Sequence, residues 1–250
     1  MSRSPDDGPT RFEIKLNIEA PQIAKAMRVF DIDESRGKDR AIWFGEILDG
    51  RDGVTALPLS ARGIILRVRT KPGGGGDCTL KLRGPDGCLD VAAWRKRTDE
   101  LGDAAKIEGD WAGRRLVSAS VDHDLDDDTR AALDGPDPVV ADLLSEQQRL
   151  LAHELLVPLD PVTLLGPIAA RKWKLDGGLE AELWSVDALR FLEISAVTGD
   201  PDQTRRELEQ RAGDGGVDLD PHPVTKTTRV LEHLARRRFT VIDTPAPPAD

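Results

Sequence analysis

Apolar and polar side chains alternate along much of this chain with the period of two that marks a β-strand whose faces see different surroundings. From residue 11 to 18, Phe12, Ile14, Leu16 and Ile18 share one face and Arg11, Glu13, Lys15 and Asn17 the other. PQIAKAMRVFD then predicts a short helix with Pro21 in its first turn, where a missing N–H has no intrahelical partner to lose. Strands are expected at 41–48 (AIWFGEIL) and 62–70 (RGIILRVRT). The alternation resumes in CTLKLRG beyond KPGGGGD, so the glycines read as a hairpin loop. After a turn at GPDG, further strands are expected at 88–97, around AAKIEGDW and at RRLVSASVDHD.

A break at DDDTRAALDGPDP precedes PVVADLLSEQQRLLAHELL, which has the spacing of one amphipathic helix with Asp137 as N-cap and Pro138 at its first position. IAARKWKL, LEAELWSVDA and RFLEISAV restore the strand pattern. Two helices close the chain, Pro201 to Gln210 and TKTTRVLEHLARR, the latter basic in its last turn. Strands mostly follow strands, which predicts an antiparallel sheet or barrel with flanking helices, an α+β chain that is mostly β. Residues 1–10 and 243–250 read as flexible tails around a single domain with its core over 11–238.

The net charge of -10 and pI near 5.0 argue against nucleic-acid binding through the bulk field, so any anion site must be local. No apolar run approaches membrane-spanning length and MSRSPDDGPTR lacks a secretory apolar segment, so a cytoplasmic protein with no membrane partner is expected. Cys78 and Cys88 are too few for a disulfide framework and read as reduced residues.

The strand pattern carries an anomaly. In ILRVRT, Arg67 and Arg69 share a face, and in TLKLRG, Lys81 and Arg83 do. A half-buried hairpin with a basic, solvated side would explain these two strands alone. Acids and bases recur on alternating positions of other strands, however: Glu13 with Lys15, Lys106 with Glu108 and Asp110, and Glu193 in RFLEIS. If the sheet closes, one face of every strand points inward, and the interior is lined by Arg and Lys with some carboxylates. Burying like charges is costly unless a polyanion joins them. Arg and Lys would then bind phosphate oxygens, while carboxylates hold a divalent cation bridging those oxygens.

RFEIK, IWF, ARGIILRVRTKPGGGGDCTLKLRG, AARKWKL and RFLEIS, in that order, followed by KTTRVLEHL, resemble the CYTH family of triphosphate tunnel proteins, named after bacterial adenylyl cyclases and thiamine triphosphatases. The resemblance implies an eight-stranded antiparallel tunnel barrel that binds a triphosphate compound or polyphosphate and uses Mg²⁺ or Mn²⁺ to hydrolyse it. It makes Glu13 and Lys15 the catalytic pair. Arg11, Arg67, Arg69, Lys81, Arg83, Lys106 and Arg171 become substrate ligands, and Glu13, Glu108 and Glu193 metal ligands. Asp110 and Glu182 are further candidates for metal or water positioning, and monomer and homodimer are both compatible with the family.

Three positions depart from the family pattern. Arg11 stands at the first acid of ExExK, Ser195 at the second acid of the last strand, and Gly45 where an aspartate is usual. The basic side of the pattern is fuller than the metal side, which makes a non-catalytic binder of a nucleotide, polyphosphate or other phosphorylated ligand the alternative to a hydrolase. The glycine run is not followed by the helix and Lys-Ser/Thr of a phosphate loop. His123, His153, His222 and His233 lack ligand spacing and read as surface or cap residues. Trp43, Trp111, Trp173 and Trp184 read first as packing residues, with a tunnel mouth as the other setting. No constellation for a side-chain nucleophile stands out.

Overall fold

A computed structural model of the protein describes residues 9–48, 56–85, 90–112, 114–135, 138–219 and 225–242. Asp86 and Gly87 of the expected GPDG turn, Cys88, Asp137, His222 and nearly all of the expected tails lie outside these residues. Nine strands form a closed barrel: β1 (Phe12–Glu19), β2 (Lys38–Ile47), β3 (Ile64–Thr70), β4 (Gly76–Pro85), β5 (Ala105–Ala112), β6 (Arg114–Leu125), β7 (Val162–Lys174), β8 (Leu179–Val186) and β9 (Leu189–Thr198). Around the barrel they run β1-β5-β6-β4-β3-β2-β7-β8-β9, and β9 pairs with β1 to close it. The expected eight antiparallel strands are corrected to nine, and the short β1–β5 pairing is parallel. Nothing in the alternation of a single strand reports how many partners the ring needs.

The barrel is apolar on its outside and charged within. On β1, Ile14, Leu16 and Ile18 are buried with Met27 of α1 (Ala20–Val29) and Leu208 of α6 (Pro201–Asp214). On β3, β4 and β6, Leu66, Val68, Leu80 and Val121 are covered by Leu143 and by Leu151 of α5 (Glu146–Glu154). Val230, Leu231 and Leu234 of α7 (Lys226–Ile242) pack with Phe44, Trp184 and Phe191. α1, α5 and α6 thus shield the aliphatic face of β1, β3, β4 and β6, which by the period of two leaves the polar face pointing inward, whereas α7 packs on Phe44 and Trp184, which line the interior themselves.

Two further expectations differ from what forms. Residues 91–101 are a helix, α3 (Val91–Leu101), and not a strand. Asp90 caps it by accepting from the Ala93 N–H (2.9 Å), and Val91 and Trp94 pack onto Val117 and Ala119 of β6. The run 138–156 is not one helix either. A 3₁₀ turn (Val140–Leu143) precedes α5, which starts from a capping box in which Ser145 and Gln148 satisfy each other's backbone N–H groups. A four-residue helix, α2 (Pro58–Ala61), and a five-residue one, α4 (Asp127–Ala131), complete the set.

The β3–β4 hairpin forms as expected, in register from Ile64 opposite Leu82 to Thr70 opposite Gly76. Gly73, Gly74 and Gly75 all have positive φ, so the glycine run supplies the backbone freedom the loop needs.

Candidate phosphate-binding tunnel

The inward faces enclose a tunnel of about 210 Å³. Eight basic and seven acidic side chains line it, a balance far from the net charge of the chain. β1 contributes Glu13, Lys15 and Asn17; β3 Arg67 and Arg69; β4 Thr79, Lys81 and Arg83; β5 Lys106, Glu108 and Asp110. Asp122 of β6, Lys172 of β7, Glu180 and Glu182 of β8 and Glu193 and Ser195 of β9 complete the wall, with Thr225, Lys226 and Thr227 at the start of α7. On β1, β3, β4 and β9 the alternate residues are aliphatic and already buried in the apolar clusters, so the charged face points inside; β2 gives the tunnel only Phe44.

Asp110 is the hub. It is 2 % exposed and takes Lys15 Nζ at 3.2 Å, Arg83 Nη2 at 2.7 Å and Lys81 Nζ at 3.8 Å. Burial opposes its charge, yet Lys15, Arg83 and Lys81 outweigh it and hold the carboxyl well below the usual range. Lys15 also contacts Glu13 at 2.7 Å. Burial works against the Lys15 ammonium too, but Asp110, Glu13 and Glu193 overcome it, so Lys15 stays charged. Lys81 is less compensated, and burial pushes its amine down to about 8. Burial, with Arg69 beside it, lowers Arg67 to about 10.

A second knot lies on β8 and β9, where Glu182 and Glu193 are directly opposed. The Lys226 ammonium sits between them, 3.4 Å from Glu182 and 3.1 Å from Glu193, and over the Trp184 ring at 4.1 Å. Burial resists ionisation of Glu182, but Lys226, the Trp184 N–H and Arg67 bring its carboxyl down to about 2. Elsewhere Arg69 pairs with Asp77 (2.8 Å), Lys106 with Asp122 (2.7 Å) and Lys172 with Glu180 (2.5 Å), while Arg67 donates to Thr79 (3.1 Å). The buried Nε–H groups of Arg67 and Arg83 have no acceptor within the protein. Buried donors normally find one, and both side chains belong to the wall of a basic tunnel, where guanidinium groups suit phosphate oxygens.

Of the residues proposed from sequence, Glu13, Lys15, Arg67, Arg69, Lys81, Arg83, Lys106, Glu108 and Glu193 come together on the tunnel wall. Two do not. Arg11 precedes β1, is exposed, and meets β5 through its carbonyl, which accepts from the Gly109 N–H at 2.8 Å. Arg171 faces the other side of β7 and pairs with Asp39, its Nη2 2.8 Å from Oδ2. Its neighbour Lys172 takes the inward place. Lys172, Lys226, Asp122 and Glu180 were missed. Lys226 had a sequence signal, a cation in the first turn of a helix that has no acid there, which opposes the helix dipole unless carboxylates face it.

Among the described residues no three His, Cys, Asp or Glu side chains converge as a cation site. Glu193 is opposite Asn17, four residues from Glu13 along β1, or roughly 13 Å of strand. The nearest carboxylate to Glu13 in register is Asp110, which three cations already hold. Glu13, Glu108 and Glu193 therefore do not fit a preformed centre for a resident Mg²⁺ or Mn²⁺.

No family model matches the sequence, and no curated protein matches it. Solved structures do. The chain is similar to an adenylyl cyclase candidate from Hippeastrum with a dominant triphosphatase activity (TM-score 0.59, 15% identity, 89% of this chain and 96% of that one). It is also similar to an adenylate cyclase candidate from Bacillus halodurans (TM-score 0.58, 14% identity, 88% of this chain and 98% of that one). This chain has the fold of the CYTH-type adenylyl cyclase and triphosphatase proteins.

Proposed function

We propose that the tunnel binds the phosphate chain of a triphosphate compound or a polyphosphate. The observation that carries this is the wall formed by Lys15, Arg67, Arg69, Lys81 and Arg83, with the buried Nε–H groups of Arg67 and Arg83 left without acceptors. A phosphate chain brings acceptors to these guanidinium and ammonium groups and takes over the charge that Asp110 now supplies to Lys15, Lys81 and Arg83.

A second reading is hydrolysis of that chain by water with Mg²⁺ or Mn²⁺ present, Glu13 and Lys15 being the residues nearest the chemistry. The charge balance favours the metal-bound ligand that this reading requires. With eight cations against seven anions on the wall, a triphosphate entering alone would leave the tunnel strongly negative, whereas one entering with its own divalent cations would not. The triphosphatase activity belongs to the Hippeastrum protein, and it supports this reading here through the shared fold.

Calorimetric titration with inorganic tripolyphosphate, ATP and thiamine triphosphate in EDTA, then with Mg²⁺ or Mn²⁺, tests both readings. Binding is expected in EDTA and is expected to weaken about tenfold or more in Arg67→Gln and Arg83→Gln, the usual scale for losing a charged hydrogen bond. Absence of binding under both conditions ends the tunnel reading. Release of phosphate only with metal, abolished in Glu13→Gln, establishes the hydrolase; binding without any release leaves the binder.

A further inference from the structure

A second cavity, of about 520 Å³, lies where the end of β7 and the start of β8 meet the turn after α1 and the later part of α6. Its size falls in the range of small-molecule sites, roughly 300–1,000 Å³. The wall is of two kinds. Leu175 and Leu179, both half-buried, flank the β7–β8 turn, where the Leu175 N–H donates to the Leu179 carbonyl at 2.9 Å, and Phe30 and Trp173 are the other apolar members. Six basic side chains against three acids make up the rest. Hydrogen bonds hold this wall in shape without a ligand: the Trp173 N–H donates to the Asp33 carbonyl at 2.8 Å, and Arg211 donates to the Val29 carbonyl at 2.8 Å and to Asp31 at 3.0 Å.

Arg40, on the wall of this cavity, also reaches the tunnel. Its side chain is 17 % exposed, and its guanidinium stands 3.7 Å from Glu182 Oε1, an ion pair too long for a hydrogen bond. Both partners keep an open valence: among the described residues the buried Arg40 Nε–H has no acceptor and the buried Glu182 Oε1 no donor. Lys172 lines both spaces and pairs with Glu180 of the tunnel wall at 2.5 Å. Lys38 and Lys174 are exposed and form no ion pair among the described residues.

We infer that this cavity is a second site, separate from the phosphate tunnel, for a small organic anion with an apolar body, and that the two sites oppose each other through Arg40 and Lys172. The apolar body covers Leu175 and Leu179, and the anionic group takes Arg40 with Lys38, Lys172 and Lys174. A bare inorganic anion would leave the leucines in water, whereas an apolar body removes that surface from it. An anion held here draws on the two cations that balance Glu182 and Glu180, which leaves the tunnel more negative and lowers its affinity for phosphate. By linkage, a ligand in the tunnel weakens the cavity site by the same factor. The site stands without the tunnel reading; only the opposition rests on it.

The test uses the full chain at fixed ionic strength, with anilinonaphthalene sulfonate, a fluorescent apolar anion, as the probe. Saturable binding of one equivalent is expected, and sulfate, which lacks the apolar body, should not displace it at equal concentration. The probe's affinity should fall about fivefold in Lys38→Gln/Lys174→Gln, from two exposed contacts of modest strength, and about tenfold in Leu179→Gln, from lost apolar contact. With rising tripolyphosphate it should fall about fivefold and then level off, as linkage between two occupied sites requires. In Arg40→Gln that fall should shrink below about twofold. An affinity that keeps falling without a plateau puts the probe in the tunnel and overturns the inference. So does an absence of saturable binding, or binding that the cavity substitutions leave unchanged. A probe affinity indifferent to tripolyphosphate, in a parent that binds it, overturns the opposition between the sites. If tripolyphosphate itself fails to bind the parent, the tunnel reading fails, while probe binding and its loss in the cavity variants still decide the second site.

Discussion

Asp110 shows how a single side chain sets the state of the tunnel. Its neutral isostere, Asp110→Asn, takes their shared carboxylate from Lys81 and Arg83 and leaves Lys15 with Glu13 alone in a buried wall. Removing one partner from such a group typically costs about 3 kcal/mol or more, so the urea midpoint should fall by that equivalent. Added tripolyphosphate should recover much of the loss, because the ligand supplies the missing negative charge. A midpoint unchanged by the substitution would mean that Asp110 does not hold the cations together. The sign of its pH dependence follows from the lowered carboxyl. Stability from Asp110 is full above the ordinary carboxylate range and is lost as pH falls through the lower, folded-state value. Lys81 makes the opposite prediction at the alkaline end. Its amine, lowered to about 8, loses its charge there, so tripolyphosphate affinity should drop as pH rises through that value. The step should be missing in Lys81→Gln, which separates it from titration of the ligand. Nine of the eleven positions picked out as site residues in the sequence, and the further candidates Asp110 and Glu182, follow the alternation that brings them to the wall. Arg171 shows the limit: in AARKWKL two adjacent cations compete for one inward place, and a one-residue shift moves a side chain to the opposite face.

The helices were less legible than the strands because their stability depends on what they cover. CLDVAAWRKR is compatible with a strand by local pattern, and only the apolar patch of Val117 and Ala119 gives Val91 and Trp94 a reason to share a helical face. The start of α5 is decided by its capping box and by one long-range contact. Gln148 is fully buried and donates to the carbonyls of Cys78 and Val121, both at 2.9 Å, which fastens α5 to β4 and β6. Ser145→Ala should cost about 1 kcal/mol, the usual effect of losing a cap. Gln148→Leu should cost more, about 2–3 kcal/mol, since it strands two buried carbonyls as well as removing half of the box. Urea unfolding of the two variants checks the order; equal losses would show that the contacts to β4 and β6 add nothing. α7 has a comparable dual role. Its apolar stripe covers Phe44 and Trp184, and its first residue, Lys226, reaches the carboxylates that its amphipathic pattern gave no reason to pair with it.

Across the barrel, acids and bases from eight strands and one helix end neutralise each other within a chain whose overall charge is -10. A ligand that binds only this folded arrangement should stabilise it by mass action. Tripolyphosphate at about a hundred times its dissociation constant corresponds to about 2.7 kcal/mol, which for a chain of this size is a rise of roughly 5–10 °C in Tm. The same concentration of sulfate, which cannot span several arginines, should give a much smaller shift in differential scanning fluorimetry; equal shifts would argue for a general salt effect.

The strand pattern, the hairpin with its glycine loop and the row of basic residues on one face are local properties, and each was set by residue types two positions apart. Three things were not local. The inward sense of the charged face required helices to claim the aliphatic face. The ring of nine required β1 to pair with both β5 and β9. The pairing of Asp110 with Lys15, Lys81 and Arg83, and of Lys226 with Glu182 and Glu193, joins residues up to 95 and 44 positions apart in chain. Periodicity reports which side chains share a face, but ion pairs form across the closed barrel, and only closure brings those faces within reach of one another.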